Sequence, residues 1–166
     1  MYKRQSDNHY PVAQVRHILI KAAADSDGSY TDKAKEIAKN RAEELLAEFN
    51  AGDKTEDSFA ELAKDYSEDT GSAENGGLYD AVYKGATVEE FDKFCFEGHK
   101  KGDTAIVYGE SSGYAGYHVM YYVGEGDLYS NLLAKNDLVN TTVSQWVEDQ
   151  VNALTVTNGW WLRIAG

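Results

Sequence analysis

Four polar side chains carry the chemistry this chain could do. His17 lies in Val15-Arg16-His17-Ile18-Leu19-Ile20, and His118 in Gly116-Tyr117-His118-Val119-Met120-Tyr121-Tyr122. Both runs are rich in strand-forming residues. Asp69 and Ser72 fall between them in a polar, glycine-rich stretch from Tyr66 to Gly77. The aromatics Tyr79, Phe91 and Tyr114 complete the set. A lone histidine among branched and aromatic neighbours is by default a hydrogen-bonded core residue. Two of them, with an acidic Gly/Ser loop between, point to a site built at the centre of a sheet. Nothing marks an activated nucleophile, so the set falls short of a hydrolase. It suits a shallow apolar pocket floored by hydrogen-bonded polar groups.

Other chemistries lack their residues. The histidines are His9, His17, His99 and His118, with no C-x-x-C, H-x-H or H-E-x-x-H among them, so no metal site is expected. No glycine-rich phosphate loop of either common type is present. The net charge is -12 and no basic stripe interrupts it, which excludes a nucleic-acid partner and disfavours anionic lipid. The one cysteine, Cys95, sits in Phe94-Cys95-Phe96 and reads as a small buried residue; it allows no intrachain disulfide. Such usage fits the cytosol, and equally the disulfide-poor surface proteins of many bacteria. No run approaches the roughly 20 apolar residues of a membrane span.

The elements that must position these residues follow from periodicity. A length of 166 residues with 42% apolar content supports one domain with a core of its own. Residues 12–20 read as a strand. A helix starts near Thr31, with Ala34, Ile37, Ala38, Ala42, Leu45 and Phe49 on its apolar face, and ends before Asn50. A second helix covers 56–66, with Phe59, Leu62, Ala63 and Tyr66 at helical spacing. The glycine-rich loop occupies 67–77, and 78–87 reads as irregular. A short helix at 88–97 buries Phe91, Phe94 or Cys95, and Phe96. Strands at 104–108 and 117–123, with a turn at 110–113, form a hairpin. A long helix spans 128–154, with Leu132, Val139, Val143, Trp146, Val147 and Leu154 as its apolar face. The tail holds Thr155-Val156-Thr157 and Trp160-Trp161. The whole is an α+β pattern of a small antiparallel sheet covered by helices.

Five motifs in this order resemble one family. They are Val15 to Ile20, Phe59 to Ser67, Gly71 to Gly77, Glu90-Phe91-Asp92 and Gly116 to Val119. Together they are similar to a parvulin-type peptidyl-prolyl isomerase, most closely to the parvulin domains of secreted foldase lipoproteins of Gram-positive bacteria. Gly76-Gly77-Leu78-Tyr79 and the run from Gly116 to Val123 carry that closer likeness.

The resemblance implies a β-α-α-α-β-β fold of the FKBP-like kind, with a four-stranded antiparallel sheet and a short strand near 78–83. It divides the chain into a leader at 1–11, disordered or foreign to the natural protein, an isomerase domain at 12–125 and a C-terminal helical extension at 126–166. The catalytic positions fall on His17, Asp69 and His118. Substrate-binding positions fall on Phe91, Tyr79, Thr87, Val82, Ser72 and Tyr114. Thr87 stands where the family has a pocket methionine, so the proline pocket should be weaker or differently shaped. No cofactor is implied. The implied partners are proline-containing unfolded polypeptides, and nothing resembles a phosphate-reading basic cluster. The apolar face of the last helix needs cover, from the domain or from a second copy in a homodimer. The implied location is outside the cell or on its surface, with the export signal absent from this sequence; the cytoplasm is the less favoured alternative. A parvulin-like module that holds unfolded chains without catalysis is the competing function.

Overall fold

The structure is a computed structural model and describes residues 8–153. Leu154 and the tail residues named above lie outside that range. The order is β1 (Pro11–Lys21), α1 (Asp32–Ala51), α2 (Glu56–Tyr66), β2 (Leu78–Val82), α3 (Glu89–Phe96), β3 (Thr104–Ser111), β4 (Tyr114–Leu128) and α4 (Tyr129–Ala153). The strands form one antiparallel sheet in the order β2-β1-β4-β3. This is the expected α+β architecture with its four-stranded sheet and C-terminal helix. No described helix is long and apolar enough to cross a membrane.

Strand alternation sends β1 and β4 side chains to both faces, and each face is covered. On one side Ile18, Ile20, Val119 and Tyr121 pack against Ala38, Ala42, Leu45 and Phe49 of α1 and Phe59 and Ala63 of α2. On the other, Val15, Met120 and Tyr122 pack against Phe91, Phe94 and Cys95 of α3. His17 and His118 belong to this second face, in step with Val15 and Met120. Both helices on the first face start on threonine caps. Thr31 accepts from the Ala34 amide, and Thr55 with Ser58 forms a reciprocal capping box.

Several details differ from the sequence reading. Ile37 is 61% exposed, because α1 turns it outside the stripe that faces the sheet. Phe96 is only partly buried. β2 is a strand where the residue pattern suggested irregular chain. β3 runs to Ser111 and β4 begins at Tyr114, so the turn is tighter than 110–113. β1 begins at Pro11, and Tyr10 packs its ring on Phe96 and Tyr129, so the fold takes in residues assigned to the leader. No described residue of α4 is buried, and Val139, Val143, Trp146, Val147 and Val151 are exposed, so the domain does not cover that face.

Candidate active site

The loop between α2 and β2 is fastened to the edge of β1 at both ends. At its start the Leu19 amide donates to Ser67 Oγ, and the Glu68 amide donates to the Leu19 carbonyl. At its end the His17 amide donates to the Gly77 carbonyl. Gly77 has φ +69°, and a Cβ there would stand 2.1 Å from the His17 carbonyl oxygen, so only glycine fits. Arg16 secures the same segment, donating to the Asn75 and Gly76 carbonyls while paired to Glu56. This clamp delivers Asp69 and Ser72 to His17.

His17 and His118 come from adjacent central strands and meet through their Nδ1 atoms at 3.0 Å. Both are buried. The far nitrogen of His17, Nε2, lies 2.9 Å from Asp69 Oδ2. Ser72 Oγ donates to the same oxygen at 2.6 Å, and the Tyr79 hydroxyl donates to it at 3.1 Å. Asp69 Oδ1 accepts from the Gly71 amide. The far nitrogen of His118, Nε2, lies 3.1 Å from the Tyr114 hydroxyl. One connected chain therefore runs Tyr114, His118, His17, Asp69, Tyr79.

The charges follow from this packing. His17 beside it holds the Asp69 carboxyl well below the usual carboxylate range; Ser72 and the Gly71 amide add to this, while burial opposes it. Burial, then the nearness of His17, lowers the His118 imidazole to about 3, so it is neutral near pH 7. Burial and then the Asp69 charge raise the Tyr79 phenol to about 12, and Tyr114 moves up for the same reasons. The site holds a fixed carboxylate, a neutral imidazole and two protonated phenols. No thiolate, activated hydroxyl or free base is among them.

Two cavities open beside the chain and share His17, Tyr79, Tyr114 and His118. One, of about 310 Å³, is completed by Ala86, Thr87, Val88, Phe91 and Ser111. The other, of about 280 Å³, is completed by Leu19, Lys21, Asp69 and Gly113. Phe91 stands edge-on to both imidazoles, with ring centres 5.4 Å from His17 and 5.3 Å from His118. Phe91, Tyr79, Thr87 and Tyr114 thus line the apolar cavity with the two histidines, and Asp69 lines the neighbouring one.

Two of the residues expected to bind substrate lie elsewhere. Val82 is 2% exposed, packed in the core with Ala13, Val15 and Phe94, because it pairs with Ala13 and points into the α3 face. It does not line the cavity. Ser72 is buried behind Asp69 and serves that carboxylate. Thr87 brings a buried hydroxyl with no hydrogen-bond partner to the cavity wall. Ala86, Val88 and Ser111 were missed. Ala86 and Val88 flank Thr87, and that adjacency was a usable signal. Ser111 reaches the cavity through the hairpin register alone.

The fold and this site define a class of protein, and comparison with known proteins agrees. The family model of the PPIC-type PPIase domain matches residues 1–121. The chain belongs to that family, the PPIC-type (parvulin) peptidyl-prolyl cis-trans isomerases. Among individual relatives, it is 34% identical over 139 residues to foldase protein PrsA of Staphylococcus aureus strain Newman, covering 84% of this chain and 40% of that protein. It is 29% identical over 160 residues to foldase protein PrsA 3 of Bacillus anthracis, covering 92% of this chain and 48% of that protein. The crystal structure of peptidylprolyl isomerase (PrsA) from Bacillus anthracis matches with a TM-score of 0.52 at 24% identity, over 92% of this chain and 65% of that one, a likeness of fold. The chain spans less than half the length of the two curated relatives named here.

Proposed function

We propose that the protein catalyses X–Pro isomerisation in unfolded polypeptides and so assists the folding of exported proteins, at the cell surface or outside it. The observation that carries this reading is the apolar cavity of Phe91, Tyr79, Val88 and Ala86, set directly against the two buried histidines and the partly buried carboxylate bonded to them. X–Pro rotation is slow because amide resonance sets a barrier of about 18–20 kcal/mol. Resonance places partial negative charge on the amide oxygen, and twisting removes it. A fixed negative charge beside that oxygen disfavours the planar amide relative to the twisted one. Asp69 supplies the charge, and the His17–His118 pair and Ser72 hold it in place. Phe91 and Tyr79 grip the proline ring while water is excluded. The step needs no covalent intermediate, metal or cofactor.

The foldase role rests on the names of the relatives. The surface location rests on the same likeness, and the gene upstream of this sequence would show a signal and anchor or their absence. The exposed stripe of α4 is where a second copy would pack, and sedimentation of the protein over a concentration series measures that. The alternative, a module that holds peptides with little turnover, is favoured by one observation: Thr87 sets an unpaired hydroxyl at the pocket wall. A protease-coupled assay on a proline peptide separates the two. The isomerase reading expects activity that falls at least tenfold in Phe91→Ala and Asp69→Ala. Undiminished activity in those variants sinks it. Suppressed client aggregation with no isomerisation selects the holder.

A further inference from the structure

Ala86, Thr87, Val88 and Phe91 of the apolar cavity come from one stretch of chain, the turn after β2 and the helix α3 that follows it. The histidines and Tyr114 come from the sheet. The cavity is therefore only as well formed as that turn is well placed. Val82 before the turn and Phe91 after it are core residues, but residues 83–86 are exposed, so burial does not place them. Specific contacts do. The Gly85 amide donates to Asp92 Oδ1 at 2.8 Å, which ties the turn to α3. The other fastenings are aromatic and come from the segments that flank the sheet. Tyr83 stacks on Tyr129, the first residue of α4, with ring centres 4.8 Å apart and planes 12° apart. The Tyr10 hydroxyl, just before β1, accepts from the Lys84 amide at 3.1 Å. The Lys84 ammonium lies 4.8 Å from the centre of the Tyr10 ring and 5.5 Å from that of Phe96, the last residue of α3. Tyr10 and Tyr129 are joined in turn, since the Tyr129 amide donates to the Tyr10 carbonyl at 2.8 Å.

We propose that Tyr83, Tyr129 and Tyr10 are positioning residues that set the outer wall of the apolar cavity, so that α4 governs peptide affinity without touching the peptide. None of the three rings lines the cavity. Without the stack the turn keeps its bond to Asp92 but samples more positions, and Thr87 and Val88 move with it. A peptide then binds only while the wall is in place, and its affinity falls by that fraction. Asp69 is fastened to β1 through its own loop, by bonds at Leu19 and His17 that the turn does not share. Rotation within the bound complex is therefore spared. The signature is a rise in KM with kcat kept, whereas general damage to the fold lowers the active fraction and so kcat.

The kinetic part of this inference rests on the isomerase reading; the placement of the turn does not. The test compares wild type, Tyr129→Phe, Tyr129→Ala and Tyr83→Ala by NMR of the Thr87 and Val88 amides and methyls, with titration of a proline peptide and isomerase kinetics on the same samples. In both alanine variants those resonances should move, KM should rise roughly two- to tenfold, and kcat should stay within about twofold. Tyr129→Phe keeps the stacked ring and should match wild type. Tyr83 is 42% exposed, so Tyr83→Ala decides the matter even where Tyr129→Ala fails to fold. Thr87 and Val88 resonances and a KM unchanged in Tyr83→Ala overturn the proposal, as does a kcat that falls while KM holds. A Tyr129→Phe protein as impaired as Tyr129→Ala overturns it too. Resonances that move and peptide binding that weakens, in a protein without isomerase activity, uphold the positioning role and discard the isomerase reading.

Discussion

Acidification should weaken this fold through His118 before its carboxylates titrate. The imidazole is held at about 3, against an ordinary value of 6.5, first by burial and then by His17. Between those values the unfolded chain binds a proton that the native state refuses. Native stability therefore falls as the pH drops, by about 1.4 kcal/mol for each pH unit below the unfolded value. Above it both states are neutral at this residue and it contributes nothing. Two pH units into the window the loss is roughly 3 kcal/mol, against a total of about 5–15 kcal/mol for an ordinary domain. Asp69 works in the same direction but lower. Its depressed value gives stability that is present above 3.8 and is lost as the pH falls through its folded value; Glu56 and Glu110, held below their ordinary 4.5, act in the same direction, so work above 4.5 keeps the carboxylate contribution small. The assay is urea denaturation at several pH values between about 7 and 4.5, on wild type and on His118→Gln, which keeps a hydrogen-bonding amide but does not titrate. The wild type should lose stability more steeply, by close to one proton's worth of slope. Parallel curves for the two proteins would refute the neutral buried imidazole.

Two further outcomes follow from the geometry. Gly77→Ala, whose Cβ would stand 2.1 Å from the His17 carbonyl oxygen at φ +69°, should cost at least about 2 kcal/mol of stability in the same denaturation assay. Cys95 is 3% exposed, and burial pushes its thiol up to about 12, so a thiol reagent should label it only as the protein unfolds, at a rate that tracks denaturant.

Much of the frame was legible because strong local signals and tertiary packing agree. Thr31 and Thr55 cap helices whose apolar stripes do face the sheet, and β1 and β4 carry the longest runs of strand formers. β2 was hidden from the residue pattern, because Tyr79, Asp80 and Ala81 are all exposed on an edge strand and no alternation shows. Ile37 fits the helical spacing but falls off the buried stripe, since spacing names a face and not its width. At the site, His17, Asp69 and His118 could be named from their motifs, and the structure brings them together. Val82 could not be sorted from the pocket residues, because β2 register alone decides which way it points.

The two histidines touch across strands 101 residues apart in sequence. Every helix from α1 to α3 is made between them. The site cannot exist until the closing hairpin has slid into place beside the first strand, and closing so long a loop is entropically slow. On this geometry the site is also a seal on the fold: a chain still emerging, or halted before His118, cannot pair β4 with β1 and leaves His17 without its histidine partner. Under the function proposed above, a protein that acts on unfinished chains becomes competent only when its own sheet is complete.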